Sequence, residues 1–537
     1  MNSPETCYGP LHWYYWLCES LCAGHRYPLG EPKNPAETPP VTPLSVDTFN
    51  GKVHIEWDPE GELTQLGQLP FFIQFLKAGH LFEPWVESCP LQYHSNNASR
   101  TVNVLGSLLL SILSGHRRYS HITSLLGERV NSELLGMSKV VSNDSARRAL
   151  ERIDEAAGVR WLQHHLNYSY APLLSQPWIL DCDTTVKPLY GRQEGAEVGY
   201  NPHKPGRPSH TYHTYFMANV RLVLDVEVQS GKCSAAGYSA PGLWSLLEKW
   251  PRTSWPRFIR GDCEWGQEAI LCEAEQRGVD YLFKMRKSPY AQKLLHKLHF
   301  ESGWTTTVSG WEAIETTLQL KSWSQSRRVV VTRRRLTNEL AILPEGAPRL
   351  AHGQQTLAFV EPAEKFAAYE YAVLVTSLND GVITIAQHYR DRADCENGFD
   401  EMKNQWGWGG FVTQDLKRCR FIARIVALIY NWWTLFVRLA DPNKHTEAIT
   451  SRPLLLHSIG RQTKHAGQTR ITITTHHGQE RKIAQAYQRI TGFFTELKRI
   501  AQQLTPLECW CHILAEAMKK YLKGELLKPP DRLLLGT

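Results

Sequence analysis

Long apolar runs are missing from this sequence. No stretch of its 537 residues approaches the roughly 18 uninterrupted hydrophobic positions of a membrane-crossing helix, so a span is not expected. Paired cysteines are missing too. The twelve cysteines include no repeated C-x-x-C, which fits reduced, mostly buried thiols in a cytoplasm better than a disulfide framework. The two local clusters, Cys18/Cys22 and Cys509/Cys511/His512, each lack the partner pair of a zinc finger. A strong excess of one charge is also absent: Lys plus Arg exceed Asp plus Glu by only 60 to 53. Charge therefore permits a nucleic-acid partner without establishing one. The aromatic LHWYYWLC near the start has no basic stretch before it and no small-residue cleavage site after it, so a signal peptide is not expected. No internal repeat and no coiled-coil heptad is visible. What is there, 42% hydrophobic and 21% charged, suits a globular chain of roughly two to four domains.

Residues 1–44 end in PLGEPKNPAETPPVTPL, which reads as a flexible Pro-rich lead-in. From 45 to 170 the pattern is helical, in VNVLGSLLLSIL, YSHITSLLGERV and SNDSARRALERI. The last of these, with Ser142 or Asp144 as its cap, carries Arg147, Arg148 and Arg152. That segment is expected to be a helical DNA-binding domain, the alternative being a bundle with solvated arginines. From 171 to 300 strand signals dominate, in PWILDCDTTVKPLY and in YFMANVRLVLDVEV, whose Val220, Leu222, Leu224, Val226 and Val228 alternate as one long strand. The loop between them carries Lys204 and Arg207. Helix, strand, helix, strand follow (GLWSLLEKW, RFIRGD, EWGQEAILCEAEQRG, DYLFKMR), an α/β order. Residues 301–378 are strand-rich again, with Arg333 and Arg335 on one strand face and Tyr371 in YEYAVLVTSL. Residues 379–441 hold a helix and then the long amphipathic DLKRCRFIARIVALIYNWWTLFVRLAD. The remainder, 442–537, predicts a hairpin in QTRITITTHHGQERKI and two helices.

One helix of the 379–441 segment has an unusual face. In DGVITIAQHYRDRADCENGFDEMKNQWGW, Arg392, Glu396 and Lys403 stand 3, 7 and 14 positions after Tyr389 and share its side, as do Val382, Ile385 and Ala386 before it. An apolar stripe thus turns charged halfway along. Charges where core is expected must pair, bind a metal or line a site. The plainer alternative is a solvated Arg392/Glu396 pair worth a few tenths of a kcal/mol.

Carboxylates at strand ends, faced by another on a helix, suit a hard divalent cation. Asp181 and Asp183 share a strand face, and periodicity alone does not choose between them. Asp262 ends RFIRGD just before a helix, where an ordinary N-cap is the competing role. Glu396 is the third acid. Asp225 and Glu227 compete from mid-strand.

Tyr389, Arg392, Glu396 and Lys403 together spell Y-x-x-R-x-x-x-E-x-x-x-x-x-x-K, and the chain resembles the bacterial insertion-sequence transposases with a DDE triad that carry this signature. DCDTTVKPLYGRQEGAEVGYNPHKPGRPSH and YRDRADCENGFDEMKNQWGWGGF are similar to the branch with a long insertion before its glutamate. The resemblance covers about residues 100 to 460. It implies a ribonuclease-H-like α/β core, and it selects Asp183, which opens a D-T-T phrase, and Asp262, which stands in a G-D at a strand end. The 134 positions from Asp262 to Glu396 would then hold a β-rich insertion domain at 301–378. Asp183, Asp262 and Glu396 would bind two Mg²⁺ ions, with Mn²⁺ as the substitute. Tyr389, Arg392 and Lys403 would attend the phosphates. The implied activity is cut-and-paste transposition: cleavage of double-stranded DNA at inverted terminal repeats and joining of the 3′-OH ends to target DNA, by a homodimer in the bacterial cytoplasm near the nucleoid. A hairpin on one DNA end is part of that implication. DNA contacts would fall to Arg147, Arg148, Lys204, Arg207, Arg333 and Arg335. Tyr371 would take the place where the best-known relatives stack a flipped base on tryptophan. The alternatives are a metal-dependent nuclease that cuts without joining, and a DNA-binding relative with a dead core.

Overall fold

The computed structural model describes residues 44–55, 61–93, 95, 97–201, 204–306, 310–335, 369–474 and 477–530. The Pro-rich lead-in, apart from Leu44, and the Cys18/Cys22 pair lie outside them. The chain divides into two compact units, residues 1–61 and 62–537. In the first, β1 (Leu44–Thr48) and β2 (Gly51–Ile55) form an antiparallel hairpin. The helical pattern expected from residue 45 therefore begins later. The chain turns at Phe49–Asn50, and Gly51, at φ 102°, opens the returning strand.

The second unit opens with β3 (Leu63–Thr64) and helices that include Thr101–Leu113, Asn143–Arg152 and Glu155–Tyr170. Ser142 caps the arginine-bearing helix, its hydroxyl accepting from the Ser145 N–H at 3.2 Å. A ten-stranded sheet follows, built from β4 (Ile179–Pro188), β5 (Glu197–Val198), β6 (Pro208–Met217), β7 (Leu222–Ser230), β8 (Phe258–Gly261), β9 (Asp280–Lys284), β10 (Thr305–Thr306), β11 (Trp311–Leu318), β12 (Arg327–Arg335) and β13 (Tyr369–Thr376). Its order is β10-β11-β12-β13-β9-β8-β4-β6-β5, with β7 beside β6. β4, β8 and β9 run parallel and the other pairs antiparallel. Strands β10 to β13 thus extend the edge of the same sheet through the β13–β9 pairing.

The long strand expected over YFMANVRLVLDVEV is two strands. The chain turns at Ala218–Val220, passes Arg221 at φ 53°, and returns antiparallel as β7. Val220 continues the apolar alternation through the turn and is wholly buried there, which hides the reversal from a pattern-based reading. At the C-terminus the hairpin is β14 (Ile459–His465) and β15 (Gln468–Thr474), so it sits earlier than expected and turns at Ala466–Gly467, both with positive φ. β14 also pairs with β3.

The helix Leu416–Ala440 crosses β7 and the helix Glu155–Tyr170, and it is buried around almost its whole circumference. Its length and mean hydropathy of 1.3 would suit a membrane, yet 94% of its apolar window is packed inside the protein. Arg424 from this helix holds Asp225 of β7 at 2.7 Å, both nearly inaccessible, so this carboxylate belongs to the core. Cys509 and Cys511 are buried on the helix Pro506–Ala517, and burial pushes the Cys511 thiol up to about 12. No three metal-ligating side chains gather there or elsewhere among the described residues.

The opposite face of the sheet is covered by the helix Val382–Arg390. Ile385 and Ala386 pack against Phe258, Leu282, Val330 and Leu374, with Val382 and Tyr389 at the margin. The single helix expected through residue 405 is two helices. Val382–Arg390 and Ala393–Gln405 meet at Asp391–Arg392, where the N–H groups of Arg392 and Cys395 bond carbonyls three residues back, at 3.1 and 2.9 Å. The tightened turn shifts the wheel without a glycine or proline to announce it.

Candidate active site

On the face under the helix Val382–Arg390, alternate residues of the adjacent parallel strands form three layers. β4 presents Ile179, Asp181 and Asp183, while β8 and the residue after it present Phe258, Arg260 and Asp262. The register that sets Ile179 beside Phe258 and Asp181 beside Arg260 brings Asp183 level with Asp262. The first layer is apolar core. The second is a buried ion pair: Arg260 donates to both Asp181 oxygens at 2.5 and 2.6 Å, and neither side chain exceeds 2% exposure. Asp181 is therefore consumed by its neighbour, and Asp183, one-fifth exposed, is the open carboxylate.

Asp262 does not cap the helix behind it. That helix starts at Glu268 after Gln267, and among the described residues the Asp262 carboxylate accepts only the N–H of Glu264, at 2.9 Å. Arg392, 4% exposed, reaches from the signature turn to Glu396 at 2.6 Å and to Asp183 at 3.4 Å, and its Nε has no partner among the described residues. Burial opposes its charge, but the Asp183 carboxylate holds the guanidinium above its ordinary value. Its visible partners are thus two of the three candidate acids. Glu396 itself is open to solvent.

Asp183 is pushed up to about 6, first by burial and then by the Asp262 and Glu396 charges, against the pull of Arg392. Burial likewise raises the Tyr389 hydroxyl, with Asp262 and Glu396 adding to it, so Tyr389 is a proton donor at neutral pH. A cleft of about 710 Å³ adjoins this group, bordered by Thr184, Tyr200, Asp262, Glu264, Arg286 and Lys403.

Arg392 stands between Asp183 and Glu396, and among the described residues no three ligands already converge on one point. The donor chemistry nonetheless fits a hard divalent cation, because the negative charges of Asp262 and Glu396 both raise the proton affinity of Asp183. A cation there relieves that repulsion.

The raised Asp183 gives a signed prediction. A carboxylate whose value climbs from 3.8 to about 6 on folding favours the folded state below pH 4, and that contribution is lost as pH rises through 6. Above pH 6 the ionised group costs about 2 to 3 kcal/mol. Asp183→Asn should therefore raise the melting temperature of the metal-free protein at pH 7 to 8 and leave it unchanged near pH 4; a lower melting temperature at pH 8 would contradict the assignment.

The family model described as "Transposase DDE domain group 1" matches residues 100–493, a span that contains all three acids. The chain belongs to this family of DDE transposases. No curated protein matches it. Among solved structures it is similar to piggyBac transposase in a synaptic complex with hairpin DNA, at 10% identity over 84% of this chain and 86% of that one, with a TM-score of 0.35.

The remaining candidate residues of this DDE transposase are scattered over several elements. Lys403 borders the cleft with Asp262, and no ion pair involves it among the described residues. Lys204 and Arg207 are exposed and lie over the Tyr190 ring, 5.1 and 4.7 Å from its centroid. Arg148 is exposed, and Arg147 pairs with Asp144. Arg335 is exposed, whereas Arg333 is 9% exposed, bound to Glu312 at 2.6 Å and stacked on Trp304 and Tyr369. Tyr371 is half-buried beside that cluster, its hydroxyl hydrogen-bonded with His299 at 2.7 Å. A second cavity, lined by Tyr369, Tyr371 and Lys287, shares Arg286 with the acidic cleft. Sequence reasoning missed Arg260, Glu264, Arg286 and Tyr200. Arg260 and Glu264 stand two positions either side of Asp262, and that spacing is the signal that would have found them.

Proposed function

We propose that this chain cuts and joins DNA at the inverted terminal repeats of its own element, with Asp183, Asp262 and Glu396 holding two Mg²⁺ ions. The observation that carries the reading is the position of Asp183 and Asp262 at the ends of neighbouring parallel strands, with Arg392 linking Asp183 to Glu396 on the facing helix. The strand order β7-β6-β4-β8-β9, three antiparallel strands followed by two parallel ones, supports a ribonuclease-H-like core. Bound Mg²⁺ would supply Lewis-acid stabilisation of phosphate charge and make water a stronger nucleophile.

The chain's own groups have separable tasks. Arg392 bridges Asp183 and Glu396 and would offer its guanidinium fork to phosphate. Tyr389, protonated, donates a hydrogen bond to a phosphate oxygen. Lys403 contributes a point charge from the cleft wall. Lys204, Arg207, Arg148 and Arg335 contact the DNA backbone farther out. Two copies would be needed to bring two ends together.

The test is joining. Duplexes carrying the matched inverted repeats that flank the reading frame, incubated with supercoiled plasmid and Mg²⁺, should yield plasmid covalently linked to end DNA. Cut ends without linked plasmid would make the chain a nuclease instead.

A further inference from the structure

The layer between core and acids has no role in the mechanism above. Asp181 and Arg260 are dehydrated, and a buried ion pair is seldom retained for stability, since apolar residues of similar volume usually serve as well. The third arm of Arg260 is informative. While Nε and Nη2 hold Asp181, Nη1 donates to the backbone carbonyl of His388, in the last turn of the helix Val382–Arg390. One guanidinium therefore ties β4, β8 and the signature helix. Each tie lies just behind a functional group: Asp181 two residues before Asp183, Arg260 two before Asp262, His388 one before Tyr389. Two residues of strand amount to about 7 Å. A small slip at the brace is passed directly to the acids one layer above.

We propose that Arg260, with Asp181, is a positioning residue that fixes the spacing of the metal-binding carboxylates and the seat of the helix Val382–Arg390, which carries Tyr389 and leads into the turn before Glu396. The inference rests on the reading of Asp183, Asp262 and Glu396 as cation ligands. The planar fork matters as well as the charge, because lysine cannot hold two carboxylate oxygens and a carbonyl at fixed angles. Arg260→Lys keeps the charge and loses the fork. Asp181→Leu with Arg260→Met removes the pair without stranding either charge in the interior.

The experiment is a Mn²⁺ titration of the DNA-free full chain, followed by the loss of free-ion EPR signal, beside thermal melts and end-cleavage assays across Mn²⁺ concentration. Each folded variant should need at least about tenfold more Mn²⁺ for half-saturation, and the half-activating concentration for cleavage should move in parallel, with the maximal rate partly regained at high metal. A merely structural pair would change the melting temperature and leave the Mn²⁺ midpoint in place. A variant that melts cooperatively and binds Mn²⁺ as tightly as the wild type overturns the proposal. If the wild type and Asp183→Asn bind Mn²⁺ equally, the underlying ligand assignment fails instead, and the two failures are distinct.

Discussion

Glu396→Gln should abolish end cleavage while leaving fold and end binding intact, and of all single changes at the site it separates chemistry from stability most cleanly. Glu396 is 61% exposed, and its pair with Arg392 is an i,i+4 contact, so its loss costs the fold only a few tenths of a kcal/mol. Removing one donor to the reacting centre costs about 3 to 4 kcal/mol of transition-state stabilisation, or 10²- to 10³-fold, and losing a charged ligand adds to that. A drop of about a thousandfold is expected, with an unchanged mobility shift on terminal-repeat duplex and a melting temperature within about a degree. Asp262→Asn should behave alike, since Asp262 caps no helix. Asp183→Asn should lose cleavage equally while gaining stability above pH 6. Normal cleavage by any of the three variants, measured on labelled ends with Mg²⁺, would remove that acid from the triad.

Lys403→Ala is expected to lower cleavage about a hundredfold. The side chain lies two turns beyond Glu396, about 10 Å along the helix, too far to pair with it. No acid among the described residues is ion-paired with it, and it borders the cleft that Asp262 also borders. A partly exposed lysine with no partner contributes little to folding, so Ala should shift stability by less than about 0.5 kcal/mol. Lys403→Arg should restore part of the rate, because the position needs a cation more than a particular shape. The opposing account makes Lys403 a helix-end lysine that merely suits the C-terminal dipole, worth about 0.3 to 1 kcal/mol. Full cleavage by Lys403→Ala, with melts run in parallel, would uphold that account.

The parts of the site that repeat with a period were legible in the sequence. The run Val382, Ile385, Ala386 does pack on the sheet, with Tyr389 at its margin. What escaped was set by single partners brought from far along the chain. Nothing local distinguishes Asp181 from Asp183, which sit two apart on one face; Arg260, 79 residues on, does so by claiming Asp181. Arg333 and Arg335 alternate identically on their strand, yet Glu312, Trp304 and Tyr369 withdraw Arg333 from solvent. The reversal at Ala218–Val220 and the tightened turn at Asp391–Arg392 were missed because no glycine or proline marks them. Arg392 was read as a phosphate fork, and without DNA its fork spans two carboxylates instead.

The central claim is that Asp183, Asp262 and Glu396 are cation ligands, and anomalous diffraction from crystals soaked in Mn²⁺ tests it most directly. The account predicts Mn²⁺ peaks about 2.1 Å from carboxylate oxygens of Asp183 and of Asp262 or Glu396, with Arg392 displaced from at least one of its two partners. Mn²⁺ seated elsewhere at saturating concentration, with Arg392 still bridging Asp183 and Glu396, would contradict it.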